Sequence, residues 1–181
     1  MPTLPVPPEL IIITKAIAKS KGRCILVGGA VRDHCMGRNI SKDLDVEIFG
    51  MTPEVLESVL QKFGDVHAVG KSFGVLKLKT SRADYDFSLP RSERKTGKGH
   101  RGFLVTTDST MSYKKAASRR DFTVNSIGYD VLTQELLDPF DGLGDLKRKI
   151  LRHIGTSFAE DPLRVLRAMQ FSARLEFKIA P

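Results

Sequence analysis

Tryptophan is absent from the 181 residues and cysteine occurs only twice. The missing tryptophan excludes nothing. The two cysteines, Cys24 and Cys35, stand at a spacing that fits no zinc motif and read as buried or half-buried thiols of a reducing compartment. No apolar run approaches the roughly 20 residues that span a bilayer. The proline-rich start, residues 1–8, lacks the basic segment and apolar core of a secretion signal. A cytoplasmic protein is the expectation. Repeats and low-complexity tracts are missing, and neither a dinucleotide fingerprint nor a Walker P-loop occurs. Acidic side chains are in deficit, 21 against 29 Lys and Arg, for a net charge of +8. Such a balance attracts polyanions, nucleic acid foremost, unless it marks only a solvated basic surface. The length suits one domain, or one domain with an appended element.

Apolar spacing divides the chain. Residues 9–20 carry Leu10, Ile13 and Ile17 at helical intervals, Gly22 closes that helix, and 24–27 form a short buried strand. Gly28 and Gly29 make a turn, 30–36 one or two helical turns, and 44–49 a second strand. Thr52-Pro53-Glu54 fits an N-cap followed by proline at the first helical position, opening a helix to about residue 63. Segments 66–69, 75–79 and 85–89 alternate as strands. From 91 to 118 the apolar period is lost, and this basic, glycine-bearing stretch reads as a mobile loop, either functional or merely solvated. Residues 136–145 are turn-rich. An amphipathic helix over 158–175 begins at Asp161-Pro162 and places Leu163, Leu166 and Met169 on its core side. This order predicts an α+β domain with a mixed sheet over 23–145, preceded by an extension and helix (1–22) and followed by a helical segment (146–181).

Two carboxylates one residue apart, Asp43 and Asp45, share a face of the second strand because strand side chains alternate. Such groups repel and hold their protons unless a cation neutralises them, and a hard divalent metal takes oxygen ligands of this kind together with phosphate. A two-metal site wants a third carboxylate from a neighbouring strand; Asp86 is the candidate and Asp84, on the same face, its competitor. Taken alone, Asp-X-Asp reads equally as an exposed strand end. Upstream, Gly28 and Gly29 let backbone approach phosphate closely and Arg32 can pair with phosphate oxygens; a plain tight turn is the alternative. Arg119 and Arg120 form a tandem phosphate clamp and Asn125 can bond a ribose hydroxyl, against the alternative of surface salt bridges. Asp161, Arg164 and Arg167, three residues apart, lie along one side of a helix and could hydrogen-bond a base edge. Asp161 fits equally as a helix cap with Pro162 behind it, the arginines then forming a solvated stripe. Together these clusters suggest a site for a nucleoside triphosphate and metal ions.

Four motifs occur in order: Gly-Gly-Ala-Val-Arg-Asp with Lys-Asp-Leu-Asp, Arg-Arg-Asp-Phe-Thr-Val-Asn, Asp-Pro-Phe-Asp-Gly-Leu-Gly-Asp-Leu, and Glu-Asp-Pro-Leu-Arg-Val-Leu-Arg-Ala. From about residue 23 onward the chain resembles the class II branch of the polymerase-β-like nucleotidyltransferases, the bacterial tRNA nucleotidyltransferases (CCA-adding enzymes) and their poly(A) polymerase relatives. The resemblance implies a nucleotidyltransferase head with a mixed sheet and flanking helices, then a helical neck. It implies that Asp43 and Asp45 bind magnesium, with manganese as the alternative, and that Gly29 and Arg32 contact the triphosphate beside Gly28. Arg120, with Arg119 beside it, would meet the nucleotide and Asn125 the sugar. Asp161 and Arg164 would read the base in place of a template, with Arg167 supporting. The implied activity is transfer of CMP and AMP from CTP and ATP to the 3′ end of tRNA, releasing pyrophosphate. The segment 91–102 falls where the family carries a flexible loop that helps switch from C to A addition, which disfavours a CC-only enzyme. Motifs separate this reading poorly from a poly(A) polymerase, and a catalytically idle RNA- or nucleotide-binding module is the rival from another class.

Overall fold

A short apolar strand buried on both faces organises the architecture. The computed structural model describes residues 3–40, 44–69, 74–80, 84–95 and 103–181. Helix α1 (Pro8–Lys19) buries Leu10, Ile13 and Ile17, the three positions that its spacing predicts. Strand β1 (Arg23–Val27) follows, then α2 (Gly29–Cys35), β2 (Asp45–Phe49) and α3 (Pro53–Leu60). The Thr52 hydroxyl caps α3 by accepting from the Val55 N–H, with Pro53 in the first turn, as the sequence predicts. Strands β3 (Asp65–Val69), β4 (Val75–Lys79) and β5 (Asp84–Ser88) lie where alternation predicts strands.

These join β8 (Gly128–Asp130) and β9 (Leu136–Leu137) in one seven-stranded sheet of order β3-β4-β5-β2-β1-β8-β9. Its β2–β5 pair is parallel and the other neighbours are antiparallel, so the fold is α+β with a mixed sheet, as expected. Alternation along β1 sends Cys24 and Leu26 into the main core with α1 and α3, and Ile25 and Val27 into a smaller cluster with Phe49, Met111 and Ala116. Burial pushes the Cys24 thiol up to about 12 and the Cys35 thiol up to about 11, so both are inert at neutral pH.

The stretch 91–118, read as a mobile loop without apolar period, carries secondary structure where it is described, and residues 96–102 lie outside the described residues. Strand β6 (Arg91–Lys95) pairs antiparallel with β7 (Phe103–Thr107), and α4 (Tyr113–Ala117) follows, capped by the Ser112 hydroxyl. Apolar periodicity misses α4 because the side chains it buries are small alanines, Ala116 and Ala117, of which Ala116 packs on the second face of the sheet in the cluster with Met111. The ribbon escapes notice because Arg91-Ser-Glu-Arg-Lys is polar at every position.

The turn-rich segment resolves into α5 (Gly142–Arg148), whose first N–H groups donate to the Asp138 carboxylate at 2.7 and 2.9 Å. A Cβ on Gly142 would lie 2.3 Å from the Thr123 carbonyl, so only glycine lets α5 approach the 3-10 turn Thr123–Asn125. After β10 (Ile150–Leu151) and a 3-10 turn (Thr156–Glu160), helix α6 (Leu163–Leu175) ends at β11 (Lys178–Ile179), which pairs parallel with β10.

A second correction concerns α6. Its inward residues are Ala168, Phe171 and Leu175, whereas Leu163, Leu166 and Met169, expected in the core, are 46, 62 and 63 % exposed. The side carrying Arg164 and Arg167 faces the domain instead, drawn there by the bonds described below.

The main core gives a stability prediction. Phe87 is fully buried on β5 among these side chains. Phe87→Ala should lower the unfolding free energy by about 3–5 kcal/mol through lost burial and the cavity left behind, read as a fall in the denaturant midpoint at unchanged slope.

Candidate nucleotide-binding site

The cavity at the end of β1 is built by alternation and by one glycine turn. The register places Val27 of β1 opposite Asp45 of β2, so the chain leaves the sheet at Gly28 directly beside the Asp45 carboxylate. Gly28 has φ of +75°, and a Cβ there would stand 3.3 Å from an Asp45 oxygen. A side chain would strain the turn and crowd the carboxylate. The following helix then carries Arg32 inward, where it is 3 % exposed.

Burying a guanidinium is costly without partners. The Arg32 Nε donates to Asp33 at 2.8 Å and its Nη1 to the Asn125 side-chain oxygen at 2.8 Å. The Asn125 amide donates onward to Asp121 at 3.0 Å. The same Asp121 oxygen accepts from the Phe122 N–H, while its other oxygen takes the Arg167 Nε at 2.8 Å and Nη2 at 2.7 Å. One buried chain of hydrogen bonds thus joins α2, the 3-10 turn and α6. Asp145, 1 % exposed, holds the turn from below by accepting from the Thr123 hydroxyl at 2.8 Å, Arg148 at 2.9 Å and Arg152 at 3.2 Å.

A second pair sits deeper. Arg120 donates to Glu47 at 3.0 Å, Glu47 being 1 % exposed, and the Arg120 Nε is buried with no partner among the described residues. Glu47 follows Asp45 by two positions and so points to the same side of β2. Period-two spacing could have singled it out from the run Asp43-Leu-Asp-Val-Glu, yet only the structure reveals Arg120 above it.

These groups enclose a cavity of about 520 Å³ lined by Gly28, Gly29, Arg32, Asp33, Asp45, Arg120, Asp121, Asn125, Asp161, Arg164, Arg167, Phe171 and Arg174, with Ala30. That volume lies in the range of ordinary ligand sites. Nearly every predicted site residue among the described ones is brought to it. Arg119 is the exception on the arginine side: its carbonyl accepts from Arg164 at 2.8 Å, so it steadies the neighbour rather than lining the wall. Asp161 accepts from the Leu163 N–H at 3.0 Å, capping α6 while lining the cavity. Asn125 is committed to Arg32 and Asp121, so in this state it orients those two groups. Phe171 and Arg174 were not singled out as wall residues from the sequence; their positions four and seven residues beyond Arg167, on the same side of the helix, are the signal that could have found them.

Hard-metal donors flank the turn. Asp45 is in register with Asp86 across the parallel β2–β5 pair, whereas Asp84 is in register with Lys79. The Lys77 ammonium lies 3.2 Å from Asp86. Asp43 lies outside the described residues, and no group of three metal-ligating side chains gathers among the described ones. Carboxylate oxygens beside a phosphate-accessible glycine turn nevertheless suit a hard divalent cation.

A mixed sheet with a glycine turn, carboxylates at one strand end and an arginine-walled cavity is the head architecture of nucleotidyltransferases, a class that depends on divalent metal. The chain belongs to the poly(A) polymerase head-domain family, whose profile matches residues 24–152. It is 48 % identical over 160 residues to the multifunctional CCA protein of Xylella fastidiosa (strain 9a5c), covering 86 % of this chain and 36 % of that protein. The Nitrosococcus oceani multifunctional CCA protein is 44 % identical over 156 residues, with the same two coverages of 86 % and 36 %. Among solved structures, the Bacillus stearothermophilus CCA-adding enzyme in complex with CTP aligns with a TM-score of 0.81 at 30 % identity, over 97 % of this chain and 42 % of that one. A tRNA nucleotidyltransferase complexed with a primer tRNA and an incoming ATP analogue aligns with a TM-score of 0.73 at 32 % identity, over 93 % and 46 %. The chain therefore spans little more than a third of the length of the curated relatives it matches. No helix among the described residues is long and apolar enough to cross a membrane.

Asp145 gives a pH prediction. Burial alone would raise its carboxyl, but hydrogen bonds from Arg148 and Thr123 and the charge of Arg152 outweigh it and hold the group below the usual carboxylate range. A carboxyl lowered on folding stabilises fully above its unfolded value of about 3.9, and that contribution is lost as pH falls through the folded value. The unfolding free energies of wild type and Asp145→Asn should differ at pH 7 and converge in acid. Denaturant titrations from pH 7 to pH 3 check this, and a constant gap would remove Asp145 as the titrating group.

Proposed function

We propose that this chain is the nucleotide-handling part of a template-independent enzyme that transfers CMP and AMP from CTP and ATP to the 3′ end of tRNA. The observation that carries it is that three of the four sequence motifs, far apart in the chain, contribute Gly29, Arg32, Asp45, Arg120, Asp161 and Arg164 to one cavity. Relatives named for CCA addition, and neighbours solved with CTP or with primer tRNA and an ATP analogue, support the same reading. The basic net charge of +8 suits an RNA partner. Residues 23–145 form the head in this reading, and 146–181 begin a neck. The enzyme acts in the cytoplasm.

In the proposed reaction the RNA 3′-hydroxyl attacks the α-phosphate and pyrophosphate leaves. Magnesium, or manganese in its place, would be held by Asp43, Asp45 and Asp86, and would supply charge neutralisation and a lowered hydroxyl pKa. The register beside Asp45 favours Asp86 over Asp84 as the third carboxylate. Arg32 and Arg120 hold phosphate oxygens and offset the charge that develops on them; both are oriented by buried partners before substrate arrives, so little reorganisation is needed at the moment of reaction. Gly28 and Gly29 admit the triphosphate next to backbone. Asp161 and Arg164 present an acceptor and planar donors to the base edge, and Arg167 fixes the wall between them and the phosphates through Asp121.

A poly(A) polymerase that adds AMP alone is the second reading, favoured by the description of the matching family. A tRNA ending before its CCA, incubated with CTP, ATP or both, separates the two by product length and composition. Asp43→Ala and Asp45→Ala should reduce incorporation to background at unchanged melting temperature; wild-type incorporation would remove the metal assignment. Arg164→Ala should narrow the discrimination between CTP and ATP by about 1–3 kcal/mol, seen as a 10- to 100-fold change in the ratio of kcat/KM values. Unchanged selectivity would remove its base-reading role.

A further inference from the structure

Three of the five guanidinium groups on the cavity wall gather around one ring. The Cζ atoms of Arg174, Arg167 and Arg32 stand 4.7, 5.2 and 5.3 Å from the Phe171 centroid, all within the reach of cation–π attraction. The ring is itself held: it is 7 % exposed and meets Phe122 edge-on at 5.7 Å.

Charge compensation distinguishes these arginines. Arg32 pairs with Asp33, Arg167 with Asp121, and Arg120 with Glu47. Arg174 lines the same cavity, yet among the described residues its interaction is with the Phe171 ring, and no carboxylate neutralises it. It brings net positive charge to a wall on which Arg32, Arg120 and Arg167 are offset by carboxylates.

Position along α6 assigns the ligand group. Arg164, Arg167, Phe171 and Arg174 recur at intervals of three, four and three, which is one stripe of the helix. Arg174 lies ten residues beyond Arg164, about 15 Å along the axis at ~1.5 Å per residue. It is therefore at the end away from the Asp161–Arg164 pair and shares its ring with Arg32, which adjoins the Gly28–Gly29 turn.

We propose that Arg174 is a further anion-binding residue of this cavity, taking polyphosphate oxygens of the bound nucleotide, and that Phe171 is the positioning residue holding its guanidinium there. The assignment rests on the nucleotide lying along α6 with its base at Asp161 and Arg164. A polyphosphate also relieves the repulsion among three cations packed around one ring, so its binding is favoured by the arrangement that precedes it.

The test is calorimetric titration of the full chain with inorganic tripolyphosphate, CTP and CMP. Arg174→Gln should weaken tripolyphosphate and CTP by about tenfold or more, the loss expected for a hydrogen bond to a charged group, and CMP little, while Arg174→Lys keeps part of the affinity. Phe171→Leu, matched to wild type in melting temperature, should lose tripolyphosphate affinity as well, and Phe171→Tyr should keep it. Wild-type tripolyphosphate binding in Arg174→Gln overturns the proposal. So does an equal loss for CTP and CMP, or a loss confined to a single-stranded RNA probe, which would give Arg174 to the RNA. If Phe171→Leu and Phe171→Tyr behave alike, the ring is only a structural spacer and its positioning role is overturned. Should wild type bind tripolyphosphate but show no preference for CTP, the nucleotide reading fails while a loss in Arg174→Gln still upholds the anion site.

Discussion

Two positive charges 4 Å apart near a protein surface repel by about 4 kcal/mol, so arginines crowded into one cavity must be compensated and held. Asp33, Glu47 and Asp121 compensate one arginine each, and Asp121 also ties the arginine-bearing elements together. One of its oxygens receives Arg167 from α6, and the other receives Asn125, which passes the connection to Arg32 on α2. Three elements far apart in the chain are tied through a single buried carboxylate. Removing it would leave Arg167 unpaired and Asn125 without its acceptor, and a buried group stripped of its partner costs more than the bond itself contributes. The position of α6, and with it the Asp161–Arg164 end of the cavity, depends on this network and on the contact of Phe122 with Phe171.

The sheet contributes the other half of the site through one departure from antiparallel pairing. Because β2 runs parallel to β5, Asp45 and Asp86 come into register on neighbouring strands. The face that carries Asp45 also carries Glu47 and Phe49. Asp45 and Glu47 give it a polar cavity end, and Phe49 at the other end joins the apolar cluster with Ile25, Val27 and Met111. Helix α4 covers that apolar end and delivers the chain to Arg120, directly over Glu47. A segment without apolar periodicity therefore completes the hydrophobic support of the site and places one of its arginines.

Much of this was legible in the residue order. Helix α1 and strands β1 to β5 follow from alternation and helical spacing, since each has one strongly apolar face. The glycine turn, Asp45, Arg120 and the Asp161–Arg164–Arg167 stripe could be singled out because their residue types are chemically unusual at those intervals. Legibility failed where burial is achieved by small or polar residues. Ala116 and Ala117 leave no periodic signature, and the Arg91–Lys95 strand is recognised only by its pairing with Phe103–Thr107. It failed again on α6, where Leu163, Leu166 and Met169 look like a core face while the helix is turned the other way by Asp121 and Phe122.

Local chemistry is written in the order of residues: which positions bend, which repel, which can accept or donate, and which side of a helix or strand they share. Those properties follow from side-chain type and from the periods of two and 3.6, and they were enough to assemble a list of site residues. Which residues of that list are partners is a different matter. That Asn125 serves Arg32 and Asp121, that Glu47 lies under Arg120, and that Phe171 gathers three arginines all depend on pairings between positions many residues apart. Such pairings are settled when the sheet closes and α6 docks, because only then do buried charges come close enough to require one another.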